Sequence, residues 1–503
     1  MSLKICKSIN NHYLYIIILI VPIELMMEES QFLTDKKNFS KNPVSFGNEG
    51  FIFNEHFKLY LDSFWVYRRN NFDMAKTYVS GLMRCEKNHT NMERMSEFDQ
   101  ENDYHRYYHF LSESKWSWSD VNRITSINAS IVLNEQKSKN GLPVSLIIDE
   151  SSHLKKGRES VGVARQYAGQ IGKVDNCQVA VYGSLCNGIH NTLISNRLFL
   201  PTEWTSDKKR MDKSGVPEEY HIYKTKPELA LDIIDEAVKT GVCFDCIGGD
   251  GLYGHNSELT RALDSRKLFY VLDVHKDEYV YLTEPVLSVP EKKKGRGRCP
   301  VKLKSDITPV SLEKYRLGLK ASDWHHVKVR KTAKGTKTMN VHIAKVWHWD
   351  GIESAACCRT LIITIDAKSK RVKYSFSNGA VEEYTADEYA RYQCNRYWVE
   401  RSFDDTKNEL GLSGYQVRNW TAWQHHIALV MAAALYLMKR RIDNIDSYPL
   451  LSIRDARILT VAHLFCDEQT IQLAYQNMHN RHRVRKRDID RCYRKEAELQ
   501  YDQ

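Results

Sequence analysis

No apolar run in this 503-residue chain reaches the roughly 20 residues that a bilayer-spanning helix needs. The two most apolar stretches, Leu14 to Ile23 and Trp423 to Met438, are both shorter, which argues against a membrane protein. Also missing are an internal repeat, a low-complexity tract and a second cysteine pair at zinc spacing. The twelve cysteines are scattered, and adjacent Cys357 and Cys358 do not suit a secreted disulfide framework, so a reducing cytosol fits best. The lone C-x-x-C, Cys243 and Cys246, lies inside the strand-like VCFDCIGG, where packing into a sheet is a simpler reading than metal binding. LYIIILIVPI follows a Lys-containing start, but no small-residue cleavage site comes after it. Residues 1–30 therefore read as an apolar leader of no function, or as an extension upstream of the true start codon.

What is present is ordinary for a large globular chain: 42% hydrophobic and 27% charged residues, with a length prior of about three domains. Lys and Arg number 73 against 63 Asp and Glu, a net charge of +10. Such an excess favours polyanionic partners, nucleic acid among them, although it also serves solubility.

Apolar residues recur at three and four spacing in FKLYLDSFWVYRRN and YHRYYHFLSESKWSWSDV, which predicts helices from Phe51 to Asn128. Aromatics at that spacing belong in a core, or else interleave with Arg and His on a DNA-facing surface. Strand patterns follow in VSLIID, CQVAVYGSLCN and HNTLISNRLFLP, suggesting an antiparallel meander. Thr225 and Glu228 form a capping box around Pro227, opening a helix that Gly241 stops. VCFDCIGG, a helix from Asn256 and the strand LFYVLDV complete an α/β alternation. From 275 to 388 the chain turns basic and strand-prone, with HHVKVRK, MNVHIAKVWHW, TLIITID and VKYSFSN as strands. Helix resumes near Ala386 and runs through Glu400. WQHHIALVMAAALYLM is apolar all round and should be buried, with His425 and His426 packed or capping. RHRVRKRDIDRCYRK, residues 481–495, holds eight Lys or Arg against two Asp, which suits a solvated tail or phosphate contacts.

Three acids stand out: Asp149 closing VSLIID, Asp250 closing CFDCIGGD, and Glu400 within RYQCNRYWVERSFDDTKNELGL. A carboxylate at the mouth of a buried strand is destabilising unless it holds a charge, and a divalent metal ion is such a charge. At about 100° per helical residue, Arg396, Glu400 and Lys407 fall within roughly 40° of one another, on the margin of an apolar face. Taken alone, that stripe is also what an ordinary i, i+4 surface salt bridge looks like. Glu150 should face away from Asp149, and Asp404 and Asp405 are less well placed than Glu400.

The run DESSHLKKGRESVGVARQYAGQIGKVDNCQ, then GGDGLYG, then Y-W-V-E-x(6)-K followed by NELGLSGYQVRNW, together resemble the DDE transposases of bacterial insertion sequences. The resemblance is to the insertion-sequence family numbered 701, related to the cut-and-paste family numbered 4, and covers roughly residues 50–440. It implies an α/β fold: a ribonuclease-H-like mixed sheet with helices, interrupted by a β-rich insertion. The implied layout is a leader at 1–30, a helical DNA-binding domain at 31–135, the catalytic core at 136–274 and 389–440, a basic insertion at 275–388, and a helical basic segment at 441–503. Asp149, Asp250 and Glu400 would be the catalytic acids, holding two Mg2+ ions about 4 Å apart, a role Mn2+ can also fill. Arg396 and Lys407 match the family's third-acid signature and would contact phosphates. Its tyrosine position holds Gln393, and Tyr392 lies one residue off. Candidate DNA contacts are Lys155, Lys156, Lys292, Lys293, Lys294, Arg296 and Arg298, with Trp347 and Trp349 as a possible platform for an unstacked base.

These implications describe a transposase that binds the terminal inverted repeats of its element as a homodimer, cuts with divalent metal, and joins 3′-OH ends to target DNA. It would work in the cytoplasm, at the nucleoid. The rival readings are an inactive or domesticated DNA-binding relative and a metal-dependent nuclease without strand transfer.

Overall fold

The computed structural model describes residues 46–87, 89–99, 101–291 and 299–501. The chain divides into two units, Met1–Gly47 and Asn48–Gln503. The leader read at residues 1–30 lies outside the described residues.

The N-terminal helices are α1 (Glu49–Lys58), α2 (Phe72–Arg84), α3 (Met92–Glu97), α4 (Tyr104–Ser112) and α5 (Trp118–Asn140), with Phe51 and Tyr108 exposed. Tyr60, Phe64, Tyr78, Tyr107 and Trp116 are all buried, so these rings form core and no DNA-facing surface. Gly141, in the left-handed region at φ 70°, caps α5, and its amide closes the last turn on Lys137 O. A side chain would be strained there, and the glycine lets the chain reverse into the sheet.

The sheet strands are β1 (Ser145–Leu154), β2 (Ala164–Ala168), β3 (Lys173–Cys186), β4 (Asn191–Leu198), β5 (Cys246–Gly249), β6 (Tyr270–Val274), β7 (His325–Thr332), β8 (Gly335–His348), β9 (Cys357–Asp366) and β10 (Val372–Ser377). Their spatial order is β7-β8-β9-β10-β6-β5-β1-β3-β2, with β4 also paired to β3. The β1–β5 and β5–β6 pairs are parallel and the others antiparallel. This mixed α/β organisation is consistent with a ribonuclease-H-like DDE domain.

Three local differences from the sequence reading stand out. Asp149 does not close its strand: β1 continues to Leu154 because Glu150 to Leu154 keep pairing with β3. What ends at Ile148 is the parallel pairing with β5. Strand β2, ARQYA, lacks an apolar pattern and exists through its pairing with the start of β3. Strands β7 to β10, from the basic stretch 275–388, continue the main sheet through β10 and β6.

Helix α6 (Lys226–Lys239) has its capping box at Thr225 and Glu228, and α7 (Ser257–Ser265) is capped by Asn256. Helices α8 (Ala386–Asn395) and α9 (Tyr397–Glu409) flank Arg396, which keeps helical angles (φ −53°, ψ −31°) but interrupts the ladder that sequence suggested was continuous. Helix α10 (Trp420–Asp443) is buried along nearly its whole length. His425 bonds Leu111 O at 2.8 Å and Trp116 O at 3.0 Å, and His426 bonds Tyr78 at 2.8 Å, so both are packing residues. Among the described residues no helix is long and apolar enough to cross a membrane. Helices α11 (Ile453–Phe465) and α12 (Glu468–Tyr501) complete the described chain, and Tyr493 and Glu496 of α12 bond the backbone of the β7–β8 hairpin.

Candidate active site

The sheet register assembles the site. Ile148 of β1 pairs with Gly249 of β5, and Gly249 pairs with Leu272 of β6. One residue further, three adjacent parallel strands present Asp149, Asp250 and Asp273 at the same level, and alternation puts their side chains on one face. Asp250 is held by capping a single helical turn, Gly251–Gly254, through the amide of Leu252 at 2.9 Å. That turn packs so closely on β6 that a Cβ on Gly254 would lie 2.0 Å from Asp273 O, which explains the last glycine in GGDGLYG.

Arg396 reaches into this row. Its Nε lies 3.2 Å from Asp273, Nη1 3.6 Å from Asp149, and Nη2 3.0 Å from Glu400. Arg396, Asp149 and Asp273 are largely buried, whereas the Glu400 side chain is 54% exposed. Burial, then the Asp250 charge, then Glu150 push the Asp149 carboxyl up to about 7, against the pull of Arg396. Asp250 is raised too, by burial first and Glu150 second. Arg396 is held charged by Asp273, Asp149 and Glu400, which outweigh its own burial. Both Glu150 oxygens are engaged, one by Lys226 Nζ and one by Tyr253 Oη, each at 2.9 Å.

Among the described residues no group of three His, Cys, Asp or Glu converges to hold a metal ion. The Asp149–Asp250 pair nevertheless fits a hard divalent cation. Both are oxygen donors, both are pushed toward protonation by burial and by neighbouring carboxylates, and one guanidinium is their shared counter-charge. Glu400, read in sequence as the third member, is turned to Arg396.

Asp273 was not singled out by sequence, although LFYVLDV repeats the signal of an apolar run ending near an acid. It accepts from Ser375 Oγ at 2.7 Å, and Ser375 Oγ in turn accepts from Gln393 Nε2 at 2.7 Å. Gln393, at the family's tyrosine position, is thus linked through Ser375 and Asp273 to Arg396. Tyr392 corrects the helical-wheel expectation: it is buried against Phe269 and Tyr384 and forms no part of the acid cluster. Helix α8 sits on the sheet with that side inward.

Lys407 is largely buried, its Nζ 3.5 Å from Ser152 O, and burial lowers its pKa. Lys155 points inward, bonding Tyr415 O at 2.9 Å with its ammonium 3.5 Å from the ring centre, and burial lowers its pKa to about 7. A DNA contact by Lys155 therefore conflicts with its position, whereas Lys156 is exposed. Trp347 is half-buried on β8, and Trp349 lies beyond the strand end with its indole N–H donated to Glu353 O, so the shared strand face assumed for the two does not form. Lys292, Lys293, Lys294, Arg296 and Arg298 lie outside the described residues. A cleft of about 310 Å³ beside the acids is lined by Asp273 and Arg396 together with Lys276, Arg316, Arg371, Lys373 and Glu313, the last paired with Lys276 at 3.2 Å.

The sequence matches the family described as DDE superfamily endonuclease over residues 56–336, a span that contains Asp149, Asp250 and Asp273 but ends before Arg396 and Glu400. It is also similar to a probable transposase for insertion sequence element IS701 of Microchaete diplosiphon, at 32% identity over 178 residues, or 34% of this chain and 41% of that protein. The chain thus spans less than half the length of that relative. With more than half of its residues inside the family match, the chain belongs to the DDE superfamily endonucleases.

Proposed function

We propose that the protein is a DNA transposase that binds the inverted repeats ending its element, hydrolyses phosphodiester bonds there, and transfers the 3′-OH ends to target DNA. The observation that carries this reading is the pair Asp149 and Asp250, side by side where the parallel pairing of β1 and β5 ends, both raised by burial and neighbouring carboxylates and adjoined by a cleft with several cations. Asp149 and Asp250 would hold a divalent cation, Mg2+ in this proposal, and Glu400 would join them on release from Arg396. When bound, such an ion supplies Lewis-acid activation of the attacking oxygen and of the phosphodiester.

The chain's own residues bind and orient the DNA. Lys276, Arg316, Arg371 and Lys373 line the cleft where strand phosphates would run, and Arg396 can grip two phosphate oxygens once it leaves the carboxylates. Lys407 adds a positive charge near the strand end of β1. Residues 275–388 act in this reading as an insertion between the second and third acids, and two copies pair to hold two ends.

The test is strand cleavage and joining on a duplex carrying the element's end, with Mg2+. Asp149→Ala, Asp250→Ala and Glu400→Ala should each lower cleavage by more than about 100-fold, beyond what loss of an outer supporting partner causes. Full activity in any of them overturns that residue's assignment. A second reading, a relative that binds DNA without cutting it, draws on the Arg396–Glu400 pair, which keeps Glu400 off the other acids. End binding with no cleavage by the wild type would select it, and cleavage without joining of pre-cut ends would select a nuclease.

A further inference from the structure

A second cavity lies ahead of the start of β1, on the N-terminal side of Asp149. Its volume is about 410 Å³, between Leu142 and Pro143 ahead of β1, the β3–β4 hairpin, strand β7 and helices α8 and α9. Four cations, Arg330, Lys331, Arg391 and Arg441, line it, and no Asp or Glu does. Among the described residues Arg330, Lys331 and Arg391 form no ion pair, whereas Arg441 has Asp405 as an electrostatic neighbour.

Unused hydrogen-bond donors mark the same place. Asn187 is fully buried, and its Oδ1 accepts the amides of Ile189 at 3.2 Å and His190 at 2.9 Å, while its Nδ2 has no partner. Arg391 Nε is likewise buried without a partner. A buried donor left unpaired is destabilising, and two beside four cations call for an acceptor-rich anion. The Arg330 guanidinium lies over the rings of Tyr397 and Trp398, at 4.4 and 5.1 Å from their centres, which keeps it extended at the cavity instead of free in solvent.

We propose that this cavity binds a backbone phosphate of DNA, at a site separate from the acid cluster. The inference rests on the transposase reading only for the identity of the polyanion; the call for an anion comes from the cavity itself. From Asp149 back to Ser145 is four residues of extended strand, about 14 Å, which one DNA strand covers in roughly four nucleotides. The cavity therefore anchors the strand a few nucleotides from the bond that is cut.

The test uses the full chain and a fluorescent end-containing duplex, with affinity followed by anisotropy across a salt series. Each lost phosphate contact lowers the slope of log K against log salt by about 0.9. The triple variant Arg330→Gln, Lys331→Gln, Arg391→Gln should lose about 0.9 of slope, the value of one phosphate, while a control triple of exposed lysines, Lys58→Gln, Lys173→Gln, Lys208→Gln, should lose little. Equal losses in the two triples, or an unchanged slope in the first, overturn the site. Lys331→Gln alone, at the exposed rim, carries the same comparison if the triple does not fold. Inorganic phosphate is the second arm: if it raises the melting temperature of the wild type but not of the Arg391→Gln variant while the DNA slopes stay equal, the cavity serves a free anion and the DNA assignment falls. A wild type with no affinity for any duplex instead sinks the transposase reading.

Discussion

One guanidinium serves three carboxylates at this site, and that ratio governs how single residues should behave. Arg396 touches Asp149, Asp273 and Glu400, so it both neutralises the acids and occupies the electrostatic role of a cation. Removing it should open that role. In Arg396→Gln, divalent-ion affinity measured by calorimetry without DNA should rise at least about tenfold, because two unit charges at 4 Å repel by about 4 kcal/mol even at an effective dielectric constant of 20. Weaker binding in the variant would mean that Arg396 positions the acids more than it competes with the ion. Asp149 supplies a pH signature. Its folded-state pKa of about 7 is raised above the unfolded value of 3.8, so the folded protein holds an extra proton between those values. The resulting stability is lost as pH rises through 7. In metal-free protein, Asp149→Asn should therefore raise the melting temperature at pH 8 and leave it nearly unchanged at pH 4, and added Mg2+ should reduce the difference at pH 8. A variant that destabilises equally at both pH values would contradict the repulsion argument.

Among the secondary elements, those with local signals were legible and those made by pairing were not. The capping box at Thr225 and Glu228 marked the start of α6 to the residue, because the two amides it satisfies are only three residues apart in sequence. Thr225→Ala should cost about 1 kcal/mol, read from denaturant unfolding. Strand β2 carries no such signal; it is half-exposed and charged, and only the start of β3 makes it a strand. The site divides the same way. Asp149 and Asp250 could be found because each follows an apolar run inside a recognisable motif. Asp273 could not be promoted above any other strand acid until the register placed it beside them. Tyr392 failed for the converse reason, since a helical wheel gives relative angles and the packing of α8 on the sheet decides which angle faces in. Helix α10 was legible as buried, and it carries a pH dependence of its own. Burial lowers His425 to about 4 and His426 to about 3, below the unfolded value near 6.5. The unfolded chain thus binds more protons in that window, and stability is lost as pH falls from about 6.5. His425 alone accounts for up to roughly 3 kcal/mol. His425→Gln should flatten the acid limb of the stability curve, whatever it does to the plateau.

At the scale of the whole molecule, the N-terminal helices do not close a core of their own. Phe53, Phe57, Tyr78 and Leu82 share one hydrophobic cluster with Trp423, Ile427 and Met431 of α10 and with Val399 and Phe403 of α9. The link is polar as well. Glu49, at the start of α1, accepts from Arg440 Nε at 2.9 Å and Nη2 at 2.5 Å and from Tyr436 Oη at 2.5 Å, all of it buried. Nearly 400 residues of chain separate these partners, so the start of the unit is folded onto α10. Breaking a buried pair by removing one partner leaves an uncompensated charge and costs about 3–5 kcal/mol. Glu49→Ala should therefore destabilise the entire unit. Calorimetry should show one transition moved to lower temperature, with the tryptophan fluorescence of Trp116 and Trp423 lost together with far-ultraviolet ellipticity. Two separated transitions, or a protease-resistant fragment ending near residue 140, would show instead that the N-terminal helices fold as an independent domain.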